Sequence, residues 1–185
     1  MTIPVLLPAA RRIAQRWKNG GGVTRDIALF PADSDLDGFS WRLSIAEVVN
    51  DGPFSVFSEV DRHLAVLVGR LLLEGIESSE PLGMASPPIS FPGDRPVYGR
   101  IVEGPVHDIN LMVRRSAFSG ALRRLEGIDQ VTASETTILV ALAEAILVID
   151  DVPHRLDRLD AVLIGTESRV RSDGALIAAE IASAA

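Results

Sequence analysis

The sequence predicts an all-β fold of the sandwich or barrel type, on three observations. Apolar and polar residues alternate strictly over residues 39–48, which is the pattern of a strand whose two faces differ. A second alternating stretch covers residues 107–114, and a nearly continuous apolar run covers residues 63–73. Many short segments separated by turn residues are typical of β-sandwiches and β-barrels, and long helical periodicity is scarce.

The first half of the chain contains four predicted strands. Residues 23–30 and 39–48 are the first two, and Asn-Asp-Gly-Pro at residues 50–53 predicts the turn that follows. The run over residues 63–73 indicates a strand buried on both faces, interrupted at Gly69-Arg70 in the manner of a hairpin. The alternating stretch 107–114 places Asp108, Asn110, Met112 and Arg114 on one face.

The second half contains a further apolar run, and the chain as a whole offers three short helical candidates. Residues 137–150 are apolar with a predicted turn near Ala143-Glu144, and residues 159–165 form the next strand. The helical candidates are residues 9–16, residues 116–125 and the tail from Ser172.

A weak internal similarity indicates two related halves. The segments LAVLVGRLLLE (residues 64–74) and ILVALAEAILV (residues 138–148) share an apolar strand, a tight turn and a second apolar strand. Two stacked β-barrel halves would produce this repeat. Unrelated apolar hairpins would produce it as well, so the repeat alone leaves both possibilities open.

The composition restricts the possible functions. The 185 residues suffice for one domain or for two small halves that share a core. A net charge of −7 excludes broad attraction to nucleic acid or to an anionic membrane, although 18 basic residues leave room for a local cationic pocket. The absence of cysteine excludes disulfides, thiol catalysis and cysteine metal sites, and it fits a reducing cytosol.

No segment of the sequence is long and apolar enough to span a membrane. The start, MTIPVLLPAARR, does not fit a signal peptide, because two prolines interrupt its apolar part and the charges follow it. We therefore expect a soluble, cytoplasmic protein.

The motif KNGGG at residues 18–22 is the most unusual local feature. The only lysine of the chain, Lys18, stands here beside Asn19 and three glycines. A P-loop needs a lysine after the glycines, and a dinucleotide fingerprint must open a helix, whereas residues 23–30 have the pattern of a strand. Asn-Gly favours hairpin turns, so we predict a turn that can also place Lys18 and Asn19 at the mouth of a pocket.

The sequence does not predict a metal site or a serine hydrolase. The three histidines, His63, His107 and His154, include no pair at the i, i+2 spacing of a strand face or the i, i+4 spacing of a helix face. No GxSxG motif supports Ser-His-Asp catalysis. We expect neither a metal nor another cofactor.

Arginine and amide side chains within predicted strands are the remaining binding candidates. These are Arg25, Arg42, Ser44, Arg62 and Asn110, all among apolar neighbours. Arginine in such settings recognises carboxylates or phosphates through paired hydrogen bonds. The alternative is a structural ion pair with Asp26, Asp61 or Asp108.

Several stretches together resemble one family. They are WKNGGGVTRDIA (17–28), WRLSIA (41–46), DGPFS (51–55), DR (61–62), FPGD (91–94) and HDINLMVRR (107–115). Their order and spacing, over about residues 10–115, are similar to those of the bacterial HutD/Ves family. The resemblance implies a bicupin, which is a single compact unit of two cupin-type (RmlC-like) β-barrel halves. The halves would comprise residues 1–120 and 121–185, with few short helices.

The resemblance also implies a function. It points to an accessory or regulatory protein of histidine utilisation that binds a small carboxylate metabolite, either urocanate or a formylglutamate-like acid, in a metal-independent pocket. Thr24 and Asp108 are positions of interest carried over by motif. The expected ligand-binding residues are Lys18, Asn19, Arg25, Arg42, Ser44, Phe54, Arg62, Asn110 and Met112.

Two other functions remain open at this point. One is a cofactor-free isomerase or hydrolase that acts on a small anionic metabolite, with Lys18 or His63 as the general base. The other is an interaction module with an incidental pocket, which predicts a large exposed apolar patch. A homodimer is a further possibility, because exposed strand edges can pair.

Overall fold

The computed structural model describes residues 3–77, 80–127, 135–166 and 168–184. Within these ranges the chain forms fifteen β-strands and one short 3₁₀ helix, Ala9–Arg11, which confirms the predicted all-β class. In chain order the strands are β1 (Val5–Leu7), β2 (Ala14–Arg16), β3 (Gly22–Phe30), β4 (Trp41–Val48), β5 (Gly52–Pro53), β6 (Val60–Glu74), β7 (Ile89–Pro92), β8 (Tyr98–Arg114), β9 (Phe118–Leu125), β10 (Thr136–Ala141), β11 (Ala145–Ile149), β12 (Val152–Leu156), β13 (Ala161–Ile164), β14 (Val170–Ser172) and β15 (Leu176–Ser183).

Residues 13–119 form one compact unit around a seven-stranded antiparallel sheet. The strand order is β2-β3-β4-β8-β6-β7, and β5 pairs with β8 beside this path. Seven of the eight residues of β4 are buried. The alternation seen in residues 39–48 therefore separates two buried faces, one with Trp41 and Leu43 and the other with Arg42 and Ser44.

The longest strands, β6 and β8, pair along most of their length and are irregular near their middle. The register between them shifts three times between Val66 and Leu71, which indicates β-bulges. Gly69 has a φ of +76°, and a Cβ there would lie 2.5 Å from the carbonyl oxygen of Glu103. The hairpin predicted at Gly69-Arg70 is therefore wrong, because the glycine permits bulges within one continuous strand.

Residues 1–12 and 120–185 form the second compact unit. Its sheets have the orders β1-β13-β10-β15-β9 and β12-β11-β14. Leu139 and Leu176 of the first sheet and Leu147 and Val170 of the second belong to one buried core. The predicted barrel halves 1–120 and 121–185 stay a prediction, and residues 128–134, 167 and 185 of the second half lie outside the described residues.

The predicted helices are largely wrong. Residues 116–125 contain strand β9, and the alanine-rich tail forms strand β15, which pairs with β10. In the region 9–16 only Ala9–Arg11 is helical, and Ala14–Arg16 is a strand. Helix propensity is a small term per residue, so pairing and burial in a sheet outweigh it. Among the described residues, no helix has the length and apolar character needed to cross a membrane.

The glycine motif forms the turn between β2 and β3, as predicted. The N–H of Gly20 donates to the carbonyl oxygen of Trp17 at 3.0 Å, and Gly20 has a φ of +70°. Gly22 is required for another reason, which is the close approach of neighbouring atoms to its Cα. A Cβ on Gly22 would lie 2.5 Å from the carbonyl oxygen of Glu47 and 3.1 Å from the Trp17 ring.

We therefore expect Gly22→Ala to destabilise the protein more than Gly20→Ala. Alanine at residue 20 meets open space and costs about 1 kcal/mol for its left-handed backbone. Alanine at residue 22 must displace backbone, which should cost about 2 kcal/mol. Urea denaturation of the two variants measures the difference, and equal losses would contradict the close approach at Gly22.

Candidate functional site

A cavity of about 530 Å³ lies in the unit formed by residues 13–119. One face of the sheet forms its floor, where the β4–β8 register pairs Ser44 with Asn110 and Arg42 with Met112. Residues paired directly across antiparallel strands share a face, so these side chains lie together. Trp17, Phe54 and Phe57 add aromatic surface to the lining.

Eight of the nine expected ligand-binding residues line this cavity. They are Lys18, Asn19, Arg42, Ser44, Phe54, Arg62, Asn110 and Met112. Lys18 and Asn19 are exposed, so they lie at the rim, as the hairpin turn predicted. Whether these residues bind a ligand stays a prediction.

Arg25 is the residue that the structure does not bring to the cavity. Its neighbour Thr24 lines the cavity, and successive residues of a strand point to opposite faces. The Arg25 side chain is 41% exposed, and its Nη1 lies 3.9 Å from Oε2 of Glu47. Arg25 is therefore placed as a surface residue with a weak ion pair.

Arg42 lines the cavity but already has a carboxylate partner. Its Nε and Nη2 both lie 2.7 Å from Oδ1 of Asp26, and the Asp26 Oδ2 accepts a further hydrogen bond from Gln15 at 3.1 Å. The exposed fractions of the two side chains are 9% for Arg42 and 20% for Asp26. For Arg42, the alternative of a structural ion pair is confirmed.

Arg62 is the buried cation of the cavity that lacks such a partner. Its Nε donates to Oδ1 of Asn110 and its Nη1 to the carbonyl oxygen of Ser55, both at 3.4 Å, which is long for a hydrogen bond. The guanidinium carbon lies 4.8 Å from the centroid of the Phe54 ring and 5.5 Å from that of Phe91. None of the salt bridges among the described residues involves Arg62.

The environment of Arg62 fixes its position and keeps it charged. Cation–π contacts with two rings orient the guanidinium without using its N–H donors. Burial lowers the pKa of Arg62 to about 10, with Asp108 opposing this shift and Arg42 adding to it. The guanidinium therefore stays protonated at neutral pH and keeps donors for an anion.

Asp108 is the residue that the expected ligand-binding set missed. It lines the cavity with 2% of its surface exposed, and no hydrogen bond or salt bridge among the described residues ends on its carboxylate. Burial raises the pKa of Asp108 to about 7, although the charge of Arg62 opposes this shift. The signal was present in residues 107–114, where Asp108 shares the face of Asn110 and Met112.

The motif at residues 17–24 builds one wall of the cavity. The Trp17 Nε1 donates to Oγ1 of Thr24 at 2.8 Å, which fixes the indole ring beside Gly22. Asn19 uses its Oδ1 to accept the N–H of Gly21 at 3.0 Å, so this side chain also stabilises the turn. Trp17 belongs to the motif and lines the cavity, although it is not among the expected ligand-binding residues.

The predicted general bases have different positions. Lys18 lies at the rim, whereas His63 follows Arg62 on β6, does not line the cavity, and has its Nδ1 2.7 Å from Oγ of Ser90. Burial lowers the pKa of His63, against the opposing charge of Asp61. Among the described lining residues, Asp108 is therefore the buried acidic group that faces the cavity.

The lining residues do not fit a metal ion. The described lining contains no histidine, and Arg42, Arg62 and Lys18 bring positive charge to it. The residues described in the structure contain no group of three or more His, Cys, Asp or Glu side chains suited to a metal. The arrangement can instead hold an anion at Arg62 beside a group that gains or loses a proton.

Comparison with known proteins identifies related sequences. A family model described as HutD matches residues 9–179. The 21.2 kDa protein in the hutC 3′ region of Pseudomonas putida is 33% identical over 146 residues, which are 77% of this chain and 75% of that protein. Protein Ves of Citrobacter koseri is 37% identical over 110 residues, so the match spans 58% of this chain and 56% of that protein.

Solved structures support the same relationship and the fold. HutD from Pseudomonas fluorescens SBW25 superposes with a TM-score of 0.84 at 26% identity, covering 99% of this chain and 100% of that chain. Oxalate decarboxylase from Bacillus subtilis superposes with a TM-score of 0.60 at 7% identity, covering 97% of this chain and 76% of that chain. The second likeness shows the fold alone, an all-β, cupin-like architecture.

Proposed function

This chain belongs to the HutD family, and from that membership we propose that it is an accessory protein of histidine utilisation whose cavity binds a small carboxylate metabolite. The observation that carries the proposal is Arg62, a buried cation without a carboxylate partner among the described residues, facing a cavity of about 530 Å³. An arrangement as two cupin-type barrel halves is part of the same proposal. Cytoplasmic location and a homodimer stay predictions.

Arg62 supplies the main attraction in this proposal. Arg62 is 6% exposed, and the rings of Phe54 and Phe91 lie 4.8 and 5.5 Å from its guanidinium carbon. A charge-assisted hydrogen bond in such surroundings is shorter and stronger than a neutral one. Asn110 lies beside the guanidinium and Ser44 pairs with Asn110 across the strands, so both can orient the rest of the ligand.

The charges of the cavity favour a carboxylate over a phosphate. Arg42 is neutralised by Asp26, which leaves Arg62 as the uncommitted cation of the described floor. A phosphate dianion needs several cationic or hydrogen-bond-donating groups around it. The carboxylate of Asp108, on the same floor, would repel such a dianion. Urocanate has one carboxylate, and a formylglutamate-like acid has two that are separated along its carbon chain, so either of these ligands implied by the family resemblance can place a single negative charge at Arg62.

We expect Arg62→Ala to weaken binding of N-formylglutamate or urocanate by roughly ten- to a hundredfold, because the variant loses charge-assisted hydrogen bonds of about 1.5–3 kcal/mol. Isothermal titration calorimetry of each ligand against the native protein and the variant measures this change.

Arg25→Ala is the matched control for this experiment. It removes the same side chain from a position that does not line the cavity, so binding should equal that of the native protein. Failure of both ligands to bind the native protein would overturn the ligand assignment. Equal affinity of the native protein and Arg62→Ala would overturn the role of Arg62.

A cofactor-free enzyme is the second candidate function. The observation that favours it is Asp108, a cavity residue whose pKa burial raises to about 7, suited to general acid–base catalysis near neutral pH. In this proposal Asp108 replaces Lys18 and His63 as the general base. Incubation of the purified protein with N-formylglutamate or urocanate tests it, with formate release and the ultraviolet spectrum of urocanate as the respective readouts.

A further inference from the structure

Asp108 lies close to the proposed ligand position. It is two residues from Asn110 on the same face of β8, and Asn110 Oδ1 lies 3.4 Å from the Nε of Arg62. The residues paired with Asp108 on the neighbouring strands are Ala46 of β4 and Val66 of β6, whose side chains are apolar. The Asp108 carboxyl group therefore faces the cavity with Arg62 as its nearby charge.

The other charged groups around the cavity are committed or lie at its rim. Lys18 and Arg16 are exposed residues beside the β2–β3 turn, and Asp51 uses its Oδ1 to accept the N–H of Ile101 at 2.8 Å. Arg42 of β4 is held by Asp26 of β3 at 2.7 Å. Among the described lining residues, Asp108 and Arg62 are thus the buried acid and the buried cation that form no salt bridge, and each is the charge that the other senses.

We infer that Asp108 is protonated in the ligand-bound state, so that the cavity binds a carboxylate together with one proton. An ionised Asp108 and a ligand carboxylate would be two anions beside one buried cation, and like charges in a poorly solvated site do not both ionise readily. A protonated Asp108 instead donates a hydrogen bond to the ligand. The inference rests on the proposed carboxylate-binding function.

In the ligand-free protein, the surroundings of Asp108 already favour its protonated form. Burial raises the pKa of Asp108 to about 7, so near neutral pH the group gains or loses its proton easily. A bound anion adds repulsion to the burial that already disfavours the carboxylate. Asp108 thereby determines specificity, because its acid form favours ligands that offer a hydrogen-bond acceptor.

The test is calorimetry of N-formylglutamate binding at pH 8 in buffers of different ionisation enthalpy. The native protein should take up about one proton per ligand, and its affinity should be about tenfold weaker at pH 8 than at pH 6, because Asp108 must first be protonated. Asp108→Asn should bind without proton uptake and with equal affinity at both pH values. Asp33→Asn, which removes an exposed carboxylate outside the cavity, should behave like the native protein.

The outcomes distinguish failure of the inference about Asp108 from failure of the proposed carboxylate-binding function. Binding by the native protein without proton uptake, or with proton release, overturns the inference and leaves the proposed function standing. Uptake that persists in Asp108→Asn assigns the proton to another group and also overturns it. No binding of N-formylglutamate or urocanate to the native protein overturns the proposed function and the inference together. Should Asp108→Asn fail to fold, the proton count of the native protein still decides.

Discussion

Asp108→Asn should raise the free energy of unfolding at pH 8 by up to about 4 kcal/mol and leave it almost unchanged near pH 4. The size of the effect follows from about 1.36 kcal/mol for each unit by which folding changes the pKa. The reason is that folding raises the pKa of Asp108 from 3.8 to about 7 by burial. Between these two values the unfolded chain has released the proton and the folded chain still holds it. Stability therefore falls as the pH rises through this window and is fully retained below it.

Asparagine removes this penalty because it has the shape of the protonated acid and cannot ionise. Thermal melts of the native protein and of the variant at about pH 4, 6 and 8 measure the effect, which should appear as a rise of several degrees at pH 8. Asp33→Asn is the matched control for loss of one surface carboxylate. Parallel stability curves for the native protein and Asp108→Asn would show that Asp108 ionises in the folded state as it does in the unfolded chain.

A residue that lowers the stability of the fold while facing a cavity fits a functional role. Binding and catalytic sites often carry groups that are unfavourable for folding, so replacing them stabilises the protein and changes how the site functions. The same substitution, Asp108→Asn, should therefore raise stability at pH 8 and abolish the proton uptake that accompanies carboxylate binding. A gain in stability at pH 8 combined with loss of the proton uptake, while ligand binding is retained, is difficult to obtain from a purely structural residue.

The sequence determined which residues share a face, but it did not determine which face lines a cavity. Alternation correctly placed Arg42 with Ser44, and Asn110 with Met112. For β3 the same rule places Thr24 and Arg25 on opposite faces, but it does not predict which of them lines the cavity. Both faces of the sheet carry mixtures of polar and apolar residues. The fold places Thr24 in the lining and Arg25 at the surface.

The relation between Arg62 and Asp108 could not be derived from the sequence alone. They lie on β6 and β8, 46 positions apart, and their proximity depends on a register in which Arg62 pairs with Met112 and Val66 pairs with Asp108. Nor could local patterns show that Asp26, and not a ligand, neutralises Arg42. Those two facts decide which arginine remains available to an anion, and both follow from strand pairing between distant segments.

The errors in secondary structure have a common physical origin. The tail of residues 176–183, LIAAEIAS, has helix-forming residues, yet it pairs with β10 and buries Leu176, Ile177 and Ile181. Burial of these side chains contributes more than the differences in propensity between the residues. Glycine marks both hairpins and bulges with the same sequence pattern, so the sequence predicts a hairpin at Gly69 where the structure forms bulges.

Removal of the Asp26 carboxylate should destabilise the protein by about 3 kcal/mol or more, because it leaves the charge of Arg42 buried without its partner. The two side chains are 20% and 9% exposed, and both guanidinium contacts with Asp26 Oδ1 are 2.7 Å long. Asp26 also joins Gln15 of β2 to Arg42 of β4, so its loss affects three neighbouring strands. Urea denaturation of the native protein and of Asp26→Ala measures the change.

Two further variants separate the buried charge from a general loss of contacts. In the double variant Asp26→Leu, Arg42→Met no charge is left unpaired, so much of the stability should return, as expected when apolar residues replace a buried ion pair. Glu47→Ala removes the partner of the exposed Arg25 and should change stability by less than about 1 kcal/mol. If Asp26→Ala proved as harmless as Glu47→Ala, the Arg42 charge would be solvated through the cavity, and Arg42 would join Arg62 as an available anion-binding group.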